Sequence, residues 1–97
     1  MLNVNDNKEE FYSRFFDQLS KSQSWPGIYF FKFIVESESD NLSKLRSIFS
    51  AKKAFFFEKK SSKKNYTSLS IKVNLNSPKE VIEIYKVCSK LKGIIAL

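Results

Sequence analysis

Three groups of residues in this sequence are of types that do chemistry. Glu36, Glu38 and Asp40 share one short segment, "ESESDN". Clustered carboxylates of this kind are what Mg²⁺ or Ca²⁺ takes as oxygen ligands. The segment lacks the glycine turn and the ligand count of a calcium loop, so helix capping and solvation explain it more simply. Lys59, Lys60, Lys63 and Lys64 surround "SS" and lead into Asn65-Tyr66. A basic turn like this attracts polyanions. Cys88 is the one thiol, so no intrachain disulfide forms. Its neighbours put it on a helix face, where a small buried thiol is inert. There is no histidine, which excludes His-based acid–base catalysis and His-ligated metals. G-x-S-x-G, P-loop and C-x-x-C motifs are also missing. The expectation is a non-catalytic protein with no cofactor and no metal.

The net charge is +7, and residues 51–72 alone carry seven Lys and one Glu. The basic excess therefore lies in the middle of the chain, where it would draw nucleic acid, an acidic membrane or an acidic partner. A plainer source is composition, because A/T-rich codons by themselves produce abundant Lys, Asn, Phe, Ile and Ser. The 97 residues make one domain that buries about 60–65% of its unfolded surface. Ten Phe, four Tyr and one Trp stand against two Gly and two Pro. That argues for regular elements joined by short loops. No apolar run approaches the ~20 residues that span a bilayer. The first residues lack the apolar stretch of a signal peptide. Both point to a cytoplasmic protein with no membrane partner.

These groups must be positioned by helices and strands that the spacing makes visible. Asn5 or Asp6 is placed to cap a first helix, with Glu9 and Glu10 near its positive end. Phe11, Phe15 and Leu19 recur every four residues, widened by Tyr12 and Phe16, which predicts a helix over 7–23. Pro26 stops it by disfavouring helical geometry at Trp25. "IYFFKFIV" (28–35) reads as a central strand. Tyr29, Phe31, Phe33 and Val35 share one face; Ile28, Phe30, Lys32 and Ile34 share the other. Both faces are largely apolar, so partial cover of the second is expected as well. Ser39 or Asp40 caps a second helix carrying Leu42, Leu45, Ile48 and Phe49. Ala54–Glu58 is a strand. Leu69, Ile71, Val73 and Leu75 alternate along the next with Ser68, Ser70, Lys72 and Asn74. Ser77 and Pro78 open a last helix with Val81, Ile84, Tyr85, Cys88 and Leu91 buried. Gly93 ends it, and residues 94–97 form the final strand.

After the first helix the order is β-α-β-β-α-β. This is the α+β, ferredoxin-like α-β plait, with helices on one face of a four-stranded antiparallel sheet. Residues 1–24 read as a helical extension and 25–97 as the plait itself. Within 25–97, Trp25-Pro26 leading into "YFFKFIV", the hairpin "SSKKNYTSLSI" and the helix "SPKEVIEIYKVCSKLKGIIAL" resemble the YbeD-like family. This bacterial family has no known function and is sometimes called lipoic-acid regulatory. The resemblance implies an ACT-like fold similar to amino-acid-sensing regulatory domains, no enzymatic activity, and a nominal link to lipoate metabolism. It also implies glycine where this chain has Lys64. If the turn is a two-residue one, Lys64 must adopt positive φ at a cost of about 1 kcal/mol.

Three functions are weighed. The leading one is a regulatory or protein-interaction module acting through its sheet, on Phe30, Lys32, Ile34, Tyr66, Ser68, Ser70 and Lys72 with the hairpin's Lys59, Lys60, Lys63 and Lys64. That surface docks an unidentified protein, pairs two copies of the chain, or lies under the N-terminal helix. The second is a sensor of a small amino-acid-like ligand near residues 36–41, where three carboxylates would meet an ammonium group. The third and weakest is nucleic-acid binding through Lys52, Lys53, Lys59, Lys60, Lys63 and Lys64. The RNA-recognition signature is missing, and Phe30 alone makes a poor stacking platform.

Overall fold

The computed structural model describes residues 4–97, with side chains from Lys8 onward. Its elements are α1 (Val4–Ser22), β1 (Gly27–Glu36), α2 (Asn41–Ile48), β2 (Phe55–Lys60), β3 (Tyr66–Leu75), α3 (Pro78–Cys88) and β4 (Ile94–Ala96). The four strands form one antiparallel sheet in the order β2-β3-β1-β4, so the ferredoxin-like plait is present, preceded by a helix.

The period-two rows decide which face is buried. Phe31, Phe33 and Val35 on β1 lie beside Ile71, Leu69 and Thr67 on β3, and all six are buried. Leu45 from α2, Phe49 at its C-cap, and Val81, Ile84 and Cys88 from α3 close over them. Removing this much apolar surface from water supplies the main folding drive, about 1.5–3 kcal/mol per large side chain. Phe31 meets Phe49 edge-on at 5.1 Å between ring centroids, and Tyr85 at 5.0 Å. Thr67 is the buried polar exception on this face, and its hydroxyl is satisfied by Ser37 Oγ at 2.8 Å.

Local chemistry sets the element ends. Pro78 occupies the first turn of α3, where a missing N–H costs nothing. Ser77 is the residue before it, as expected, but its side chain makes no cap bond. Glu80 serves instead, its Oε1 accepting from the Asn76 backbone N–H at 2.8 Å. At α2 the Asp40 side chain caps nothing either, and the Asn41 N–H donates to Ser39 Oγ at 3.4 Å. α3 stops at Cys88, short of Gly93, which instead uses its φ of +80° in the turn into β4. At the other end of the chain, α1 already includes Asn5 and Asp6. Neither is therefore the cap as expected, and their side chains lie outside the described residues.

Two expectations are corrected. The second face of β1 is not covered: Phe30 is 65% exposed and Ile28 is exposed too. The N-terminal helix goes elsewhere, against α3, where Phe15 packs on Tyr85 at 5.6 Å and Lys86 sits over the Tyr12 ring at 4.8 Å. Its end is pinned to the helix side by Trp25, whose Nε1–H donates to the Leu19 carbonyl at 3.0 Å. The hairpin is also longer than two residues. Residues 61–65 connect β2 to β3, and the Ser61 N–H donates to the Tyr66 carbonyl at 2.8 Å. A tight turn inside the loop closes through the Lys64 N–H to the Ser61 carbonyl, also 2.8 Å. Lys64 has φ of +60°, and Asn65 does not share that geometry.

Candidate binding surface

The pairing register assembles the open face row by row. One row runs Phe55, Lys72, Phe30 across β2, β3 and β1. The next runs Phe57, Ser70, Lys32, with Leu97 bonded to the Lys32 carbonyl through its N–H at 2.9 Å. The third runs Lys59, Ser68, Ile34, Ile95. Tyr66 faces Glu36 at the end of the sheet. Among the described residues, no helix lies over these rows. Phe55 is 66% exposed and Phe57 61%; Tyr66, Ile95 and Leu97 are exposed as well.

The residues expected at this surface are thereby located. Phe30, Lys32, Ile34, Lys59, Tyr66, Ser68, Ser70 and Lys72 share the open face. Ser68 spends its hydroxyl on the Lys59 carbonyl at 3.3 Å. Lys63 and Lys64 stand on the exposed loop at its end. Lys60 is opposite Thr67 and so falls on the other side of the sheet. Lys52 is also elsewhere, bonded to Glu80 at 3.0 Å beside α3. Sequence reasoning missed Phe55 and Phe57. "FFF" has no alternation, so the triplet does not say which rings face out. Phe56 is the inward one, packed on Phe49 and under the Arg46 guanidinium at 4.8 Å.

The electrostatics of the two faces differ. Arg46 forks onto Glu58, its Nε 3.1 Å from Oε2, and Lys52 pairs Glu80, both on the helix side. The Asn76 N–H, followed by Lys52, holds the Glu80 carboxyl below the usual carboxylate range against a smaller desolvation effect. Among the described residues, none of Lys32, Lys59, Lys63, Lys64 or Lys72 is in an ion pair.

A groove of about 500 Å³ opens on the helix side, between α1, α3 and β4. Phe11, Phe15, Phe33, Leu91 and Ile94 line it with Tyr12, Tyr85 and Cys88. Burial pushes the Cys88 thiol up to about 11, so it is a thiol rather than a nucleophilic thiolate at neutral pH. Burial and the Tyr29 hydroxyl, 3.3 Å away, also raise the Tyr85 phenol. The 36–41 segment does not line this groove. Its polar groups bond within the fold: Ser39 Oγ–H donates to the Glu36 carbonyl at 2.8 Å, and Asn41 Nδ2–H to the Lys92 carbonyl at 2.7 Å. Among the described residues no cluster of His, Cys, Asp and Glu is arranged to hold a metal, and no helix is long and apolar enough to cross a membrane.

Two solution structures of HP0495 from Helicobacter pylori are similar to this chain. One is 18% identical, with a TM-score of 0.60, covering 82% of this chain and 92% of that one. The other is 19% identical, with a TM-score of 0.57, covering 80% and 98%. At that identity the likeness shows the fold. A comparison with curated proteins finds no match. Residues 20–97 match the family described as "Protein of unknown function (DUF493)", which is the YbeD-like family, and the chain belongs to it.

Proposed function

We propose that this protein is a non-catalytic binding module that works through the open face of its sheet. One observation carries the reading: three phenylalanine rings, each more than 60% exposed, stand on a face that the fold leaves bare. Single exposed apolar residues are ordinary, but several on one face mark an interaction surface. Folding does not need them, because the opposite face holds the core.

The test compares retention from an extract of the native cell by the wild type, by Phe55→Thr/Phe57→Thr, and by Val87→Thr on the helix side. The wild type and Val87→Thr are expected to retain the same macromolecule and the double variant to lose it. Equal retention by all three, or none by any, overturns the reading.

The groove between α1, α3 and β4 favours a second reading, a small-ligand sensor. Its size suits a small molecule. Among the described residues its lining has no charged side chain to meet an amino acid's carboxylate or ammonium, so an apolar ligand fits it better than an amino-acid-like one. Such a ligand would raise the melting temperature of the wild type and not of Phe15→Ala.

A further inference from the structure

We infer that the occupant of the open face is a single-stranded nucleic acid. It would stack on Phe30, Phe55 and Phe57, with its phosphates on Lys32, Lys59 and Lys72. This rests on the binding-module reading above and names the partner.

Rings and charges are interleaved rather than segregated. Lys72 stands between Phe55 and Phe30 in one row, and Lys32 shares the next row with Phe57. Phe55 and Phe57 are two residues apart on one strand, hence about 7 Å, and Phe30 is two strands across from Phe55, about 10 Å. Every base has a flat face, so rings at such spacings hold successive unpaired bases without choosing among them. Lysines beside each ring meet the phosphates that link those bases. The serine hydroxyls of the middle strand leave room between the rings.

The alternatives fit less well on charge. Among the described residues, Glu36, at the end of the sheet opposite Tyr66, is the acidic residue of this face; Glu58 points to the helix side and is held by Arg46. A second copy of the chain, paired face to face about a two-fold axis, would set these lysines against one another. A protein partner is better anchored by contiguous apolar surface in a packed pocket, whereas here Lys72 separates Phe55 from Phe30. A duplex keeps its bases stacked inside and offers the rings nothing. Lys63 and Lys64, on the loop at the end of the same face, extend the positive track.

The test is fluorescence anisotropy with the full chain and labelled 12-nucleotide oligo(U) and oligo(dT), alongside a 12-base-pair duplex. The expected result is single-strand binding at 50 mM salt that weakens roughly 20-fold or more by 200 mM. Phe55→Thr/Phe57→Thr should weaken it at least about tenfold at an unchanged melting temperature. Lys72→Ser should lower the salt slope by about 0.7. No binding at 50 mM salt overturns the inference. So does binding that the double variant keeps, or a duplex bound as well as the single strands, because either outcome reduces the interaction to bare charge. If the extract experiment shows ring-dependent retention of a protein while the oligonucleotides fail, the nucleic-acid inference falls and the binding surface stands.

Discussion

Phe30 and Phe31 are neighbours on β1 with opposite fates. Phe31 is fully buried among Phe49, Tyr85 and Phe33, while Phe30 is 65% exposed. On β1 both faces carry large apolar residues, yet one belongs to a packed core and the other meets water. On the helix side Arg46 pairs with Glu58 and Lys52 with Glu80, while Lys60 and Lys86 are in no ion pair among the described residues. On the open side the lysines have no acidic partner among the described residues. The contrast separates what folds the chain from the face proposed to meet a partner.

The largest expected effect contrasts those two rings. Phe31→Ala should cost about 3–5 kcal/mol, from lost transfer energy and the cavity left behind. Phe30→Thr should stay within about 0.5 kcal/mol. Urea denaturation midpoints measure both. Equal losses would mean that the open face is part of the core.

Gly27 sharpens the contrast at the junction of α1 and β1. A Cβ there would lie 2.6 Å from the Ser24 carbonyl oxygen and 2.6 Å from Gln23 Nε2. The Gln23 amide can move, but the backbone oxygen can do so only by shifting the chain. Gly27→Ala should therefore cost about 1–3 kcal/mol. It should also loosen the connection that keeps α1 on the helix side, read as faster amide exchange in α1.

Lys64 works in the opposite sense. Its φ of +60° is strained for any residue with a side chain. Lys64→Gly should raise stability by up to about 1 kcal/mol, less than the full strain because glycine is freer when unfolded. The same change removes a charge from the open face, so oligonucleotide affinity should fall as stability rises. A midpoint that drops would contradict the turn geometry.

The smallest effect belongs to the helix side. Glu80→Gln should cost about 0.5–1 kcal/mol at pH 7. The folded state holds this carboxyl below its ordinary range, so its contribution is present above the unfolded value and is lost as pH falls through the folded one. The gap between wild type and variant should therefore narrow from pH 7 toward pH 3. A gap that persists at low pH would remove the charge from the explanation.

Much of this arrangement is legible in the sequence, and the reasons are local. Alternation along 28–35 and 68–75 states which residues share a face, and the burial of Phe31, Phe33, Leu69 and Ile71 follows it. Ser77-Pro78 marks the start of α3 because a first helical turn tolerates proline. The stripe of α1 announces an apolar face but carries no information on what it meets. That depends on Phe15 finding Tyr85 on α3, a contact across distant chain positions. Phe55 and Phe57 were hidden for another reason. Three consecutive phenylalanines satisfy either facing, and only the pairing of Phe56 with Ile71 decides it. The proposed binding surface was thus half visible: its lysines and its β1 row could be read, and its β2 rings could not.

Solvent paramagnetic relaxation of the phenylalanine ring protons tests the central claim most directly. With a neutral soluble relaxation agent and dilute protein, the rings of Phe30, Phe55 and Phe57 should broaden strongly, while those of Phe31, Phe33 and Phe49 stay sharp. Protection of the first three rings to the level of the second three would show the face already covered, and would contradict a surface held open for a partner.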